Sequence, residues 1–394
     1  MRPREHGASN LDSVVRKGSV DVAEQLFIGL MSGTSRDGLD AVLVGLDDQQ
    51  FRLICARMTP YPDSIGVPLW KLVESAHCRL DELGRLHTQF GEFAAACIDN
   101  LLREAQIPAN RVVAVGFSGH TIFHQPEPPN AFSLQLGNPN IVAARTGIDT
   151  VADLRGMDVA VGGQGAPLLP AFHAWQFASA EESRIVVNVG GIANLTRLAP
   201  GKPIVGFDSG PANTLMDAWA RRHSIGDYDD GGRWATSGRV NADLLRLLQD
   251  DEYFARQPPK STGLEHFNLD WLDRRLTVLG DLPSEDVQAT LLELTAISIT
   301  ESAKAVCPEL SRLIVCGGGC YNTALMNRLR ALLPQVTIET SDAHGIAPEW
   351  VEAAGFAWFA RSRLEGRPAN VPSVTGARRH VDLGGVYSGR KYDD

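Results

Sequence analysis

Three glycine-rich turns, each following an apolar run typical of a strand, carry groups suited to binding phosphate. The first, GLMSGTSRDGLD at 29–40, has three hydroxyl side chains among its glycines, and the second is VNVGGIANLT at 187–196. The third, CGGGCYN at 316–322, runs into a predicted helix. Glycine allows close approach of the main chain, and outward N–H groups in such turns and at helix N-termini attract anions. Together the three turns predict ATP held in a cleft between paired domains.

Asp208, in GFDSGPANTLMD at 206–217, is the residue best suited to acid–base chemistry. We predict that it ends a strand facing the cleft, with Pro211 at the first position of the following helix. There a carboxylate can take a proton from a hydroxyl group or from water. It can equally cap the helix, so the residues alone leave both roles open.

The segment ADLRGMDVAVGGQGAPLLP at 152–170 combines charged side chains with a flexible glycine turn. Arg155 can pair through two hydrogen bonds with a substrate carboxylate, or with an aspartate such as Asp158 inside an interdomain linker. The glycines around Gln164 can also serve as a hinge.

Backbone amides, hydroxyls and a metal ion must carry the phosphate charge in this chain. It has no G-x-x-x-x-G-K-[ST] motif and only six lysines, and G-x-G-x-x-G is absent at the first strand–helix turn. Asp37 and Asp40 can hold a hydrated Mg²⁺, which takes one or two carboxylates and keeps several waters.

The elements that must position these residues alternate between strands and helices, which predicts an α/β fold. Each half opens with three short strands joined by tight turns, so we expect two like domains, each with a mixed sheet. In the first half the predicted strands are 26–30, 39–47, 51–58, 111–117 and 148–152, and the helices are 80–104 and 139–146. In the second half the strands are 184–190, 193–198, 202–208, 312–319 and 336–340, and the helices are 213–222, 285–306, 323–333 and 348–364.

Composition excludes several classes of protein. The chain has 394 residues and a net charge of -10, which disfavours nucleic acid as a partner. No apolar run reaches the ~20 residues that span a bilayer, and the polar residues 1–25 resemble no secretory signal. Six scattered cysteines without a C-x-x-C pair are typical of a reducing cytoplasm. We therefore expect a cytoplasmic protein with an N-terminal extension at 1–25.

Taken together, these segments resemble the anhydro-N-acetylmuramic acid kinases of the sugar kinase/Hsp70/actin superfamily. Besides the motifs above, PPKSTG at 258–263 and APEWVEAAGFAW at 347–358 carry the resemblance. It implies two ribonuclease-H-like (actin-like ATPase) domains with mixed sheets around an ATP cleft, at 26–150 and 151–370, and a tail at 371–394 returning toward the first. It also implies a homodimer whose substrates are ATP and 1,6-anhydro-N-acetylmuramic acid and whose metal ion is Mg²⁺. The reaction would open the anhydro ring and phosphorylate O6 in murein recycling.

The resemblance assigns roles residue by residue. Asp208 would activate the attacking water, and Asp37 would hold the metal. Arg155, Asp158, Gln164 and Glu352 would contact the sugar. With the two later glycine turns included, the ATP-binding residues would be Gly33, Thr34, Ser35, Arg36, Asp37, Gly38, Leu39, Asp40, Gly190, Gly191, Gly317, Gly318, Gly319 and Asn322.

Some residues depart from the family pattern. Met31 stands where the superfamily usually has an aspartate, and Arg36 stands where the family usually has an apolar residue. Ser118 and His120 replace the usual H-G-Q-T pattern, and Leu264 replaces an arginine.

Three alternatives to this function are a kinase of a different sugar or polyol, a chaperone-like or filament-forming ATPase, and an inactive sugar sensor. A chain of this length has no room for a separate peptide-binding domain, which disfavours the chaperone.

Overall fold

The computed structural model describes residues 24–33, 38–48 and 51–390. Thr34, Ser35, Arg36 and Asp37 of the first glycine turn therefore lie outside the described residues, as does most of the predicted extension at 1–25. Among the described residues, no helix combines the length and the apolar character needed to cross a lipid bilayer.

Strands and helices alternate along the whole chain. The first half contains β1 (Gln25–Met31), β2 (Gly38–Leu46), β3 (Phe51–Pro60), α1 (Asp63–Ser75), α2 (Leu80–Ala105), β4 (Val112–Phe117), β5 (His120–Gln125), β6 (Phe132–Leu136), α3 (Pro139–Thr146) and β7 (Thr150–Ala152). The second contains α4 (Gly156–Ala160), α5 (Leu169–Phe177), β8 (Ser183–Val189), β9 (Ile192–Leu198), β10 (Val205–Pro211), α6 (Asn213–Arg222), α7 (Arg233–Ser237), α8 (Ala242–Gln249), α9 (Glu252–Ala255), α10 (Leu269–Leu279), α11 (Ser284–Val306), β11 (Leu310–Cys316), α12 (Thr323–Leu332), β12 (Thr337–Thr340), α13 (Val351–Leu364), α14 (Pro372–Thr375) and β13 (Gly385–Tyr387).

Two mixed sheets share one strand order. In the first sheet the order is β13-β7-β4-β1-β2-β3, and in the second it is β10-β9-β8-β11-β12. In each, three antiparallel strands form a meander, and two later strands add in parallel beside the first strand of that meander. The predicted pair of ribonuclease-H-like domains is confirmed, since the order 3-2-1-4-5 occurs in both sheets.

Local signals explain where individual helices begin and end. Helix α3 follows Asn138, whose side chain accepts a hydrogen bond from the N–H of Asn140, and it ends at Gly147 in the left-handed conformation. Along α2, apolar residues such as Phe90, Ile98 and Leu101 recur at helical spacing and pack against the first sheet.

Helix α13, close to the C-terminus, packs between the two sheets. One face, with Ala353 and Ala357, lies against the first sheet, and another, with Val351 and Ala354, lies against residues of the second sheet and α5. The helix approaches the first sheet at Gly29 and Gly116, where an added methyl group would overlap main-chain oxygens of α13. Only glycine leaves room for this contact.

The predicted domain limits at 150 and 370 stay predictions. Strand β7 of the first sheet spans Thr150–Ala152, and α13 lies on that sheet although it falls inside the predicted second domain. In the predicted tail, β13 pairs with β7.

Other differences concern single elements. The structure adds α1, α10, the short helices between Arg233 and Ala255, and the separate hairpin of β5 and β6. Helix α1 contains Pro68, and prolines lie between β5 and β6, which obscured both patterns.

We predict that Gly116→Ala lowers the free energy of unfolding by about 1–3 kcal/mol, because the new methyl group must displace α13 from the sheet. Urea unfolding measures the change. Gly84→Ala is the matched control: this glycine lies in α2 with open space around it, so alanine should stabilise by about 0.5–1 kcal/mol. Equal stabilities of Gly116→Ala and wild type would contradict the close packing.

Candidate active site

Asp208 lies within β10 and is buried, with 9% of its surface exposed. Its Oδ1 accepts a hydrogen bond from the side-chain amide of Asn194 on β9, and its Oδ2 accepts one from the main-chain N–H of Thr262 at 3.0 Å. Burial raises the pKa of the Asp208 carboxyl group, and these two donors oppose that rise. The two donors fix the orientation of the Asp208 carboxylate, and burial strengthens its affinity for a proton.

The position of Asp208 in its strand corrects two predictions. We expected the strand to end at Asp208, but β10 continues to Pro211, and its register with β9 shifts between Asp208 and Gly210. Pro211 therefore closes the strand rather than opening the helix, since α6 begins at Asn213. The β-bulge at this point is a typical way of redirecting side chains next to an active site.

A segment far along the chain, residues 260–262, wraps around Asp208. The main-chain N–H of Asp208 donates to the carbonyl oxygen of Lys260 at 3.1 Å. The hydroxyl of Tyr253 donates to the carbonyl oxygen of Asp208 at 2.7 Å, and Nζ of Lys260 donates to the carbonyl oxygen of Tyr253 at 3.2 Å. PPKSTG carries the family resemblance, but no role for Lys260, Thr262 or Tyr253 was predicted from the sequence.

The first glycine turn joins β1 to β2, and the structure describes its residues 29–33 and 38–40. Leu39 is fully buried, so it can offer only main-chain groups to a ligand. Behind the turn, the Ser32 hydroxyl lies 2.7 Å from Nδ1 of His120 and 2.5 Å from the Tyr61 hydroxyl. The main-chain N–H of Ser32 donates to the Ser118 hydroxyl at 3.1 Å. Two of the residues that depart from the family pattern therefore anchor this turn.

The second turn joins β8 to β9 in the equivalent place of the second sheet. Its carbonyl groups accept hydrogen bonds from the start of α6: Asn213 N–H donates to Gly190 at 3.0 Å, and the N–H groups of Ala212 and Thr214 donate to Gly191 at 2.9 and 3.1 Å. The turn and the helix that follows Asp208 are thus joined into one unit.

The third turn, after β11, packs against the end of β8. Gly317 adopts φ 78°, and a side chain there or on Gly319 would overlap Asn188 or Val189. By contrast, Gly318 is exposed with open space around it. Asn322 caps α12, because its side chain accepts from the N–H of Leu325 at 3.0 Å.

Arg155, just before α4, and Glu352, in the first turn of α13, are close enough for each charge to affect the pKa of the other. Burial lowers the pKa of Arg155 and raises that of Glu352, and each charge opposes the shift of the other. Nη1 of Arg155 also donates to the carbonyl oxygen of Gly165 at 2.8 Å.

Asp158 is fully buried, and the protein occupies both of its oxygens. Oδ2 accepts from Gly165 N–H at 2.8 Å, and Oδ1 accepts from the Asn370 amide and the Thr375 hydroxyl at 2.8 and 2.9 Å. The carboxylate therefore holds the glycine turn in place. Gln164, in that turn, is exposed, and its main-chain N–H donates to Thr375.

The sequence profile of the anhydro-N-acetylmuramic acid kinase family matches residues 25–389. An anhydro-N-acetylmuramic acid kinase of Saccharophagus degradans is 48% identical over 367 residues, covering 92% of this chain and 99% of the relative. One from Pasteurella multocida is 46% identical over 370 residues, covering 94% of this chain and 98% of the relative.

Solved structures show weaker similarity. The activator of the 2-hydroxyisocaproyl-CoA dehydratase from Clostridium difficile, with bound ADPNP, aligns with a TM-score of 0.46 at 11% identity, covering 86% of this chain and 96% of that one. A ROK family glucokinase from Streptomyces griseus, in complex with glucose and AMPPNP, aligns with a TM-score of 0.39 at 13% identity, covering 86% and 99%.

We predict that Tyr253→Phe lowers the free energy of unfolding by about 1–3 kcal/mol, because it leaves the carbonyl oxygen of Asp208 without its buried donor. Chemical denaturation measures the loss. Tyr321→Phe is the control, since Tyr321 is 59% exposed and its loss should change stability by less than about 0.5 kcal/mol. Equal effects of the two substitutions would contradict a special role for the Tyr253 hydroxyl.

Proposed function

This chain belongs to the anhydro-N-acetylmuramic acid kinase family, and we propose from that premise that Asp208 is the general base of its reaction. The enzyme uses ATP to phosphorylate 1,6-anhydro-N-acetylmuramic acid at O6 while the 1,6-anhydro ring is opened by hydrolysis. Its product, N-acetylmuramic acid 6-phosphate, is an intermediate of peptidoglycan recycling. Relatives at 45–48% identity favour this substrate over another sugar or polyol.

The reaction needs one proton acceptor. The oxygen of a water molecule attacks C1 of the sugar, the bond between C1 and O6 breaks, and O6 takes the γ-phosphoryl group as ADP leaves. In this scheme Asp208 removes the proton of the attacking water, a contribution of about 10²–10⁴-fold in rate. The chief support is the buried carboxylate held by Asn194 and Thr262, because burial strengthens it as a base and the two donors fix its direction.

For ATP, we propose that main-chain groups of the three glycine turns bind the nucleotide. Gly33, Gly38, Leu39 and Asp40 of the first turn, with Thr34, Ser35, Arg36 and Asp37 between them, would face the phosphates. Gly190 and Gly191 would do so from the second sheet. Gly317–Gly319 and Asn322 would lie on the adenosine side, where Gly318 leaves open space. Preorganised N–H groups stabilise the charge that spreads over the transferring phosphoryl group.

Mg²⁺ is proposed as the ion accompanying ATP, where it neutralises phosphate charge. The predicted ligand Asp37 lies outside the described residues. Within the described part of the chain, no group of three or more histidine, cysteine, aspartate or glutamate residues forms a metal site. A hydrated ion held mainly by the phosphates and one carboxylate would need no such group.

For the sugar, we propose that Arg155, Glu352 and Gln164 contact the substrate directly. Asp158 is instead proposed as a positioning residue, since its oxygens are already bonded to the turn that carries Gln164. A homodimer in the cytoplasm is also proposed, from the family resemblance, and sedimentation measures the oligomeric state.

The test of the function is product analysis after incubation with the anhydro-sugar, ATP and ¹⁸O-labelled water. We expect a product that has gained one phosphoryl group and one water, with the label at C1. A phosphorylated product that keeps the anhydro ring would show an ordinary sugar kinase instead.

We predict that Asp208→Asn retains the fold and ATP binding but loses at least about 10²-fold in kcat, because the amide accepts no proton. Steady-state kinetics and calorimetric titration with an ATP analogue measure the two effects. Asp243→Asn, at an exposed aspartate on α8, is the control. Turnover of Asp208→Asn near that of the wild type would remove Asp208 from the mechanism.

We predict that Asn194→Ala moves the acidic limb of the kcat/KM profile to higher pH. Without the amide donor the pKa of Asp208 rises further, so the base is protonated, and the rate falls, at a pH where the wild type still works. The loss should shrink as pH increases, because deprotonation restores the base. A loss by the same factor at every pH would contradict this coupling, and exposed Asn140→Ala serves as control.

A further inference from the structure

A strongly polar cavity of about 470 Å³ is lined in part by Lys260 and Ser261, from the segment that holds Asp208. Its wall contains two cationic side chains, two amides and a hydroxyl, but no carboxylate, although the chain as a whole carries a net charge of -10. The lining residues are Gln164, Arg256, Gln257, Pro259, Lys260 and Ser261. Such a wall is suited to an anion.

Main-chain hydrogen bonds connect the cavity wall to Asp208. The carbonyl oxygen of Lys260 accepts the N–H of Asp208, and the N–H of Thr262 donates to the Asp208 carboxylate. Ser261 of the cavity wall lies between these two residues in the chain. Gln164 comes from the glycine turn that we place at the sugar. An anionic group on a sugar that contacts Gln164 would therefore lie next to this cavity.

Of the two cationic side chains in the cavity wall, Lys260 is the one with hydrogen-bond donors left for a ligand. Its ammonium group is partly buried, lies 4.7 Å from the centre of the Tyr253 ring and donates to one carbonyl oxygen, which leaves two of its three N–H groups. Burial lowers the pKa of Lys260, and nearby Asp208 opposes this. Arg256, in contrast, is largely exposed and forms an ion pair with Glu252.

Arg155 is less suited to a second carboxylate. Its guanidinium already lies within the electrostatic influence of Glu352 and donates to the carbonyl oxygen of Gly165. A substrate carboxylate placed there would bring two negative charges to one partly buried cation, with mutual repulsion.

We propose that Lys260 binds the carboxylate of the lactyl ether group of the substrate, with Gln164 and Ser261 completing the anion subsite. The inference rests on the proposed function, which supplies the substrate. The lactyl carboxylate is the group that distinguishes muramic acid from glucosamine. Lys260 is thereby a residue that determines specificity for the acidic sugar.

Two matched substrates test this assignment: 1,6-anhydro-N-acetylmuramic acid and its lactyl carboxamide, which has the same shape without the charge. For the wild type we expect kcat/KM to be about 10- to 100-fold higher for the acid. Lys260→Met should reduce that ratio toward one. Lys260→Arg should retain most of it, and Lys202→Met, at an exposed lysine paired with Glu309, should leave it unchanged.

The ratio separates recognition from structural damage. Lys260 also supports Tyr253, so Lys260→Met can slow both substrates, but a general defect leaves the ratio unaltered and would overturn the proposal. If that variant does not fold, calorimetry on the wild type decides: equal Kd values for acid and carboxamide overturn the proposal, and tighter binding of the acid supports it. A wild type that phosphorylates neither sugar would overturn the proposed function together with this inference.

Discussion

Burial of the Asp208 carboxylate is the constraint on which the rest of the site depends. Removing a carboxylate from water costs several kcal/mol unless donors replace its hydration. One donor is a side-chain amide on the neighbouring strand, and the other is a main-chain N–H from a segment more than fifty residues later. The same segment accepts the N–H of Asp208 and lines the cationic cavity. The segment 260–262 therefore both holds the carboxylate and forms part of the cavity wall.

The twofold architecture gives the site its symmetry. Both sheets begin with a three-strand meander, so both present a glycine turn at the corresponding strand end, after β1 and after β8. The surroundings of the hairpins differ: Ser118 and His120 anchor the first, and the N-terminus of α6 is bonded to the second. Equivalent turns thus acquire different neighbours, which suits two sides of a cleft that perform different tasks.

Much of the fold could be predicted because apolar spacing reports burial directly. Helices α2, α3 and α6 and the order of both meanders were predicted from such patterns. Contacts between distant segments left no such trace. The hydrogen bond from Thr262 uses a main-chain atom, which any residue type possesses, and the burial of Asp158 depends on Asn370 and Thr375. The extension of β10 beyond Asp208 was missed because glycine and proline there suggested a helix start, whereas they belong to a β-bulge and strand end. The roles of the predicted site residues stay predictions.

The position of α13 and β13 has a consequence for how the enzyme is made. The first sheet has its own strands early in the chain, yet one face is covered by a helix beginning at Val351, and its edge is closed by a strand beginning at Gly385. The ribosome must therefore synthesise the chain as far as β13 before the first-made strands gain their final neighbours. Until then apolar residues of β1 and β4 remain uncovered, so this architecture ties completion of the earliest-synthesised sheet to residues that are synthesised much later.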